Sequence, residues 1–386
     1  HEVFLVRLKS LRRDQFALGS SFFRKIRSGV GSMATRVERL QALFAPLSID
    51  SFLVSSPSNQ QYLVGASVMS GDGYLLVTAK RAVFITDARY QTELTQVIPQ
   101  IPLVITRSYL QAVNDVLEAD GATVLGIEDQ LTIREFEWLD EHLMTDIVPL
   151  ADVADELRQV KEADELAAIR RATQLTSAGL EALFTVLKPG MTERQVAQWL
   201  EQWMQEHGAT GTSFPTIVAS GVRSAWPHGQ TSDKQLATGE LVTIDCGFYV
   251  DGYTSDVTRT VALGDPGSEL KAAYQAVQAA QSAIVAAVAP GVTGDELDRI
   301  GRDFLTERGY GEAFIHGTGH GIGLDIHEGP NIGRGWPDIM KANEVITIEP
   351  GVYLAGRGGI RIEDDILVTS AGHEVLTTVP RNLIIL

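Results

Sequence analysis

Four carboxylates stand beside glycine-bracketed turns in the second half of the chain: Asp245, Asp256, Glu349 and Glu363. Their surroundings repeat, because residues 240–249 align without gaps on residues 344–353, so that Asp245 faces Glu349. If each copy forms a hairpin, alternation along its strands places both acids of that copy on one face. We therefore expect two repeat-related hairpins to bring the four carboxylates to a shared cleft.

Buried carboxylates this close together repel one another and take up protons unless cations neutralise them. Two divalent metal ions match the charge of four carboxylates and can clamp the attacking and leaving atoms of a hydrolysis. A nitrogen ligand is available in the glycine-rich residues 316–327, where His320 is the expected one. An oxygen shell with one imidazole suits Mn²⁺, with Co²⁺ or Zn²⁺ as alternatives.

Each of these residues also has a structural interpretation. A single acid in a loop is commonly solvated or ion-paired, and a single histidine near glycines is commonly part of the structure. The combination of five ligand types on repeated hairpins favours the metal site. Cys246 follows Asp245 and is expected on the opposite face as a core thiol. A serine-hydrolase Gly-x-Ser-x-Gly element and a phosphate-binding loop are absent from the sequence.

The elements that position these residues also repeat. Residues 189–192 and 290–293 each end one helix at Pro-Gly, and each begins the next with a Thr-x-x-Gln or Thr-x-x-Glu capping box. Each copy therefore predicts two helices followed by strands that carry an acid. Before them, residues 33–155 alternate short β-branched runs with helical stretches, as an α/β domain does. We expect the boundary in a charge-dense helical connection at residues 155–162.

Length and composition agree with two soluble globular domains. The 386 residues are 44% hydrophobic and 21% charged, which excludes disorder, collagen and coiled coil. The net charge of −17 argues against a nucleic-acid partner, one cysteine excludes an internal disulfide, and no apolar run is long enough for a membrane span. Residues 1–32 differ, since seven basic residues against two acidic ones give +5. We interpret them as expression-derived sequence before Met33, with an amphipathic targeting peptide as the alternative.

At these residues the chain resembles the pita-bread metallopeptidases, the superfamily of methionine aminopeptidase, aminopeptidase P and prolidase. The resemblance is strong over residues 160–386 and weaker over residues 33–155, where it is similar to the creatinase-type N-terminal domain. It implies an α+β fold class: a C-terminal pita-bread catalytic domain of duplicated ααβββ-type halves, with an N-terminal α/β domain. The expected divisions are 1–32, 33–157 and 158–386.

The resemblance also implies a role for each site residue. Asp256 and Glu363 bridge the two metal ions, Asp245 completes one metal, and His320 with Glu349 completes the other. Glu349 is also the proton carrier of the reaction. Four further residues have implied roles around the substrate: His228, His316 and His327 as substrate-side imidazoles, and Arg361 as the support of a metal ligand or proton path. Arg334 is a candidate anchor for a substrate carboxylate.

The implied activity is hydrolysis of the bond before proline in a small peptide with proline at its second position. The short N-terminal domain favours an Xaa-Pro dipeptidase (prolidase), and the alternative is aminopeptidase P, which removes the residue before proline from longer peptides. A non-catalytic pita-bread binding module and a creatinase-like amidinohydrolase are disfavoured, because such relatives lack the complete ligand set. The resemblance further implies a homodimer, and the lone cysteine suits a cytoplasmic protein.

Overall fold

The computed structural model describes residues 35–66 and 72–386. The extension predicted at residues 1–32 lies outside the described residues. The chain divides into two compact units between Ala154 and Asp155. We describe each unit by itself.

The N-terminal unit is built around one six-stranded sheet. Its helices are α1 Arg36–Gln41, α2 Phe44–Leu47, α3 Pro57–Val64, α4 Gln91–Val97, α5 Tyr109–Asp120 and α6 Ile133–His142. Its strands are β1 Ser51–Val54, β2 Gly73–Thr78, β3 Ala82–Thr86, β4 Leu103–Ile105, β5 Val124–Glu128 and β6 Asp146–Leu150. The strand order is β4-β3-β2-β1-β5-β6, with β2 antiparallel to both neighbours and the other pairs parallel.

Local sequence explains the helices that cover this sheet. In α5, the buried residues Ala112, Val113, Val116 and Leu117 recur at helical spacing and form a core cluster with strand residues such as Leu76. The helix α6 begins with a complete capping box between the Thr132 and Glu135 side chains. The α/β pattern of short apolar strands and amphipathic helices therefore appears as the sequence predicts.

The C-terminal unit contains the longer helices and four smaller sheets. The helix α7 Val153–Gln159 spans the division, and the others are α8 Ala163–Phe184, α9 Glu193–Glu206, α10 Ser268–Ala287 and α11 Gly294–Glu307. The strands are β7 Gly211–Thr212, β8 Ile217–Ser220, β9 Glu240–Cys246, β10 Phe248–Tyr249, β11 Val257–Leu263, β12 Gly319–Gly321, β13 Glu328–Ile332, β14 Val345–Ile348, β15 Gly351–Leu354, β16 Gly358–Arg361, β17 Asp364–Thr369 and β18 Gly372–Val375.

The predicted duplication is present in this unit. Helices α8 and α9 precede the antiparallel sheet β11-β9-β8, and helices α10 and α11 precede the sheet β13-β12-β14-β17-β18. The second helix of each pair begins with a capping box, at Thr192 in α9 and Thr293 in α11. Both sheets are apolar on the faces covered by these helices. The chain is therefore α+β, with two similar halves in its C-terminal unit.

The helical connection predicted at residues 155–162 is interrupted. Its residues up to Gln159 belong to α7, and residues 160–162 separate α7 from α8. At the break, the Lys161 backbone N–H donates to the Asn343 carbonyl at 2.9 Å instead of continuing the helix. Glu162 then begins α8 through a reciprocal side-chain cap with Glu165. Among the described residues, no helix combines the length and apolarity needed to cross a membrane.

Candidate metal centre

Strand ends hold the four carboxylates. Asp245 lies near the end of β9, opposite Thr258 of β11, and Asp256 immediately precedes β11. Glu349 follows β14, and Glu363 stands between β16 and β17. Asp245, Asp256 and Glu363 are buried, whereas Glu349 is partly exposed. The two hairpins therefore present their acids to one place, as the repeat predicts.

His320, in the middle of β12, faces this acid cluster. Its Nε2 atom lies 3.6 Å from Asp256 Oδ2 and 3.7 Å from Glu349 Oε1. The ligand atoms of Asp256, His320 and Glu363 all lie within 4.8 Å of one another. The other ring nitrogen, Nδ1, is 3.0 Å from the Gly321 carbonyl, which assigns the proton to Nδ1 and leaves the Nε2 lone pair to the cluster.

The protonation of the cluster responds to its burial and crowding. Burial, followed by the charges of Glu363 and Asp245, raises the pKa of Asp256 well above its ordinary value. Burial and neighbouring Asp245 raise the pKa of Glu349 to about 7 against the opposing effect of Arg361. Burial lowers the pKa of His320 to about 4, so this imidazole is neutral at pH 7. The carboxylates destabilise one another, and a cation between them relieves that repulsion.

The donor set fits divalent metal ions. Asp245 Oδ1 is buried and has no hydrogen-bond partner within the described part of the chain. Such an orphaned carboxylate oxygen is costly unless a cation or water satisfies it. Together with a neutral imidazole nitrogen and three further carboxylates, it supplies the oxygen-rich shell that hard and borderline divalent ions bind.

Arg361 is the cation that accompanies the cluster. Its Nη2 donates to Asp245 Oδ2 at 2.7 Å, which is its one direct ion pair among the described residues. Its Nε donates at 3.1 Å to Thr258 Oγ1, and that hydroxyl donates at 2.7 Å to Glu363 Oε2. Arg361 therefore orients two of the four carboxylates, one directly and one through Thr258.

His316 joins the same network through a tyrosine. Arg361 Nη1 donates to Tyr353 Oη at 2.9 Å, and Tyr353 Oη lies 2.8 Å from His316 Nε2. The His316 Nδ1 atom lies 2.7 Å from the Gly317 carbonyl, so Nε2 is the acceptor in this assignment. Burial and Arg361 lower the pKa of His316 to about 4, which keeps it neutral.

The other two predicted histidines approach the site from separate segments. The His327 ring lies 4.5 Å from the His320 ring, and burial followed by the nearby His228 lowers its pKa. His228 is exposed and follows Pro227, whose carbonyl accepts a hydrogen bond from Arg361 Nη1 at 3.2 Å. Arg334 is exposed in the chain after β13, and no cluster residue bonds to it within the described ranges.

Sequence reasoning did not single out two residues of this network. Tyr353 carried a signal, because it is identical in both repeat copies and stands opposite Tyr249 in the alignment. Arg302 carried none that we recognise, although its Nη2 donates at 2.8 Å to the His316 carbonyl and its guanidinium pairs with buried Asp298. Both act on the position of His316.

Comparison with known proteins decides the family. Residues 167–370 match metallopeptidase family M24, and residues 36–160 match the creatinase/prolidase N-terminal domain. The chain belongs to metallopeptidase family M24. It therefore combines the family's pita-bread C-terminal domain with a creatinase-type N-terminal domain, and M24 membership implies divalent metal ions at its active site.

Three proteins similar to this metallopeptidase are matched along nearly their whole length. It is 36% identical to an Xaa-Pro dipeptidase of Pyrococcus furiosus over 91% of this chain and 100% of that protein. It superposes on the Xaa-Pro dipeptidase from Bacillus anthracis with a TM-score of 0.88 at 39% identity, covering 91% of this chain and 99% of that one. An X-Pro aminopeptidase from Thermotoga maritima gives a TM-score of 0.83 at 33% identity, covering 91% and 100%.

Proposed function

We propose that this metallopeptidase is an Xaa-Pro dipeptidase, a prolidase that releases proline from Xaa-Pro dipeptides. The observation that carries the proposal is the acid cluster beside neutral His320, in a chain whose full-length relatives include proteins named Xaa-Pro dipeptidase. The T. maritima structure, named as an aminopeptidase, keeps aminopeptidase P as the second candidate.

We assign Asp256 and Glu363 as carboxylates that would help to hold both of two divalent ions, and Asp245 as one that would hold one of them. His320 and Glu349 then serve the other ion. When bound, the ions supply an activated water and polarise the carbonyl before proline. Mn²⁺ is our first choice, with Co²⁺ and Zn²⁺ as alternatives, because oxygen ligands outnumber nitrogen ligands in this set.

The chain's own residues supply proton transfer and orientation. Glu349 stands at the cluster, with Oε1 3.7 Å from His320 Nε2, where its carboxylate could take a proton from the attacking water and return it to the leaving nitrogen. Arg361 and Tyr353 hold the His316 ring in one orientation. We assign His228, His316 and His327 to the substrate side and Arg334 to the substrate carboxylate.

Selectivity for proline needs a shaped pocket. The bond before proline is a tertiary amide without the N–H group that most peptidases engage, so shape and imidazole contacts have to replace that hydrogen bond. The neutral imidazole of His327 beside His320 offers such a contact.

A comparison of substrates tests the proposal. The protein, loaded separately with Mn²⁺, Co²⁺ and Zn²⁺, is given Ala-Pro, Ala-Ala and a longer Ala-Pro-peptide, and kcat/KM is measured with metal content. Efficient hydrolysis of Ala-Pro alone supports the dipeptidase. Preference for the longer peptide supports aminopeptidase P, and no hydrolysis of either at full metal content overturns both. The homodimer and the cytoplasmic location stay predictions.

A further inference from the structure

The segment that carries His327 has little regular structure of its own. Residues 323–327 connect β12 with β13 as a series of bends. The Glu328 carboxylate folds back onto this segment and accepts from the backbone N–H groups of Leu324 at 2.9 Å and Asp325 at 3.1 Å. One side chain thus supplies the acceptors that a helix or strand would otherwise provide.

Two cationic side chains bind the Glu328 carboxylate: Arg158 in α7 and Lys161 just after α7. Arg158 Nη2 donates to Glu328 Oε1, and Lys161 Nζ donates to Oε2 at 3.0 Å. These side chains are only 2%, 1% and 5% exposed for Arg158, Lys161 and Glu328. Burial opposes the charge of Glu328, but Lys161 and Arg158 outweigh it and lower its pKa to about 2. Glu328 is therefore a carboxylate at neutral pH.

Arg158 binds an acidic side chain on each side of His327. The same Nη2 atom that binds Glu328 lies 2.7 Å from Asp325 Oδ2. Asp325 and Glu328 flank His327 in sequence, so one guanidinium ties together the two ends of the short stretch that presents the imidazole. A planar guanidinium fixes both partners in direction, which an ammonium group does not.

Glycines on both sides of His327 lie close to side chains that pack on this segment. A Cβ atom at Gly323 would lie 2.5 Å from Glu328 Oε2, and one at Gly329 would lie 2.4 Å from Gln159 Nε2. A side chain at Gly323 would therefore displace the ion-paired Glu328 carboxylate, whereas one at Gly329 would displace only the flexible end of Gln159. Both positions place the carboxylate and α7 in direct contact with the backbone that carries the imidazole.

We propose that Glu328, paired with Arg158 and Lys161, is a positioning residue that fixes the His327 imidazole for the reaction at the acid cluster. Glu328 acts through His327, whose ring lies 4.5 Å from that of His320. The inference rests on the proposed function, because the proposed function gives His327 its substrate-side role. It adds a residue triad outside the metal ligands that controls turnover without binding metal.

Arg158→Lys is the main test variant. It keeps a positive charge, but the shorter lysine side chain ends about one bond short of the Nη2 atom that binds both Glu328 and Asp325. Displacement of a positioned group by about 1 Å can cost a hundredfold in rate, so we expect kcat/KM for Ala-Pro to fall roughly ten- to hundredfold at unchanged metal content. Arg170→Lys is the matched control, because it makes the same change in the same unit at an arginine that pairs with Glu374, outside residues 323–328. It should leave kcat/KM unchanged.

A double-mutant cycle separates positioning from general stability. In a His327→Ala background, Arg158→Lys should have no further effect on kcat/KM, because the group that it positions is already gone. Additive losses would overturn the proposal. If Arg158→Lys does not fold, the cycle is repeated with Asp325→Asn in its place. The Asp325 side chain is 43% exposed, so an asparagine there should disturb folding less than a change at buried Arg158.

A second measurement keeps the inference independent of the substrate. In the protein loaded with Zn²⁺, which is diamagnetic, the His327 ring protons are followed by NMR and assigned by comparison with His327→Ala. Arg158→Lys should shift or broaden these signals, while Arg170→Lys should not. Undisturbed His327 signals in Arg158→Lys would contradict positioning even if Ala-Pro proves not to be a substrate, and failure to cleave Ala-Pro with disturbed signals would count against the proposed function alone.

Discussion

Both units of the protein bury carboxylates, but they surround them differently. In the N-terminal unit, Glu128 at the end of β5 accepts hydrogen bonds from Ser55 N, Ser55 Oγ and Ser56 N at 2.6 to 2.7 Å, and from Asn59 Nδ2 at 2.8 Å. In the C-terminal unit, no donor among the described residues hydrogen-bonds to the Asp256 carboxylate, and the neutral His320 Nε2 lies 3.6 Å from its Oδ2.

This difference separates a structural acid from a ligand. Burial raises the pKa of Glu128, but four donors offset part of the cost of burying its carboxylate, so these hydrogen bonds are part of the fold of its unit. Asp256 instead faces three other acids, which destabilise it until a cation binds. The same degree of burial therefore serves stability in one unit and metal binding in the other. Substitutions that remove each charge test this difference, because the two kinds of acid should respond differently in metal content, activity and stability.

The largest effect is expected at the shared ligands. Asp256→Asn and Glu363→Gln keep side-chain shape but remove a charge, so each should lower bound metal and reduce kcat/KM for Ala-Pro by about a thousandfold, roughly 4 kcal/mol of transition-state stabilisation. Each variant should also be more stable than the wild type after metal removal, because one like charge is gone from the cluster. Metal analysis, kinetics and thermal unfolding with chelator measure the three quantities. Full activity at wild-type metal content would refute the ligand assignment.

An intermediate effect is expected at Glu328, a buried acid with cationic partners. Its pKa is lowered from 4.5 to about 2, so its contribution to stability is present above pH 4.5 and is lost as the pH falls toward 2. That shift corresponds to about 3 kcal/mol. Urea unfolding of wild type and Glu328→Gln at several pH values should show a difference that is largest near pH 7 and shrinks in acid. A difference independent of pH would contradict the ion pairing.

A smaller effect is expected at His228. This imidazole is exposed and follows Pro227, whose carbonyl Arg361 binds at 3.2 Å, and it lies near enough to His327 to help lower the pKa of that residue. His228→Ala should keep its metal while kcat falls roughly a hundredfold, at the low end of the contribution of one acid–base group. His142→Ala, in α6 of the N-terminal unit, is the control. Loss of metal from His228→Ala would place this residue among the ligands instead.

The contrast also shows what sequence could and could not predict. Alternation along strands and the internal repeat predicted which acids meet, because hairpins follow local turns and register. The acid-bearing hairpins and the capping boxes appear as expected. The Arg158 to Glu328 pair spans 170 residues, and no local pattern links two such positions. Likewise, nothing in the sequence marked Arg302 as the partner of the His316 backbone.

The smallest effect on catalysis is expected at Glu128. Because Glu128 is a buried acid of the other unit, Glu128→Gln is also the control for the substitutions of the metal ligands. In Glu128→Gln, one carboxylate oxygen becomes an NH₂ group, which must face donors such as Asn59 Nδ2 or Ser56 N. We expect a loss of about 1 to 2 kcal/mol in unfolding free energy, because a charge-assisted acceptor is removed from a buried site. Activity and metal content per folded molecule should equal those of the wild type. Denaturant unfolding with kinetics and metal analysis checks this, and a fall in metal content at full folding would contradict the interpretation of Glu128 as a purely structural acid.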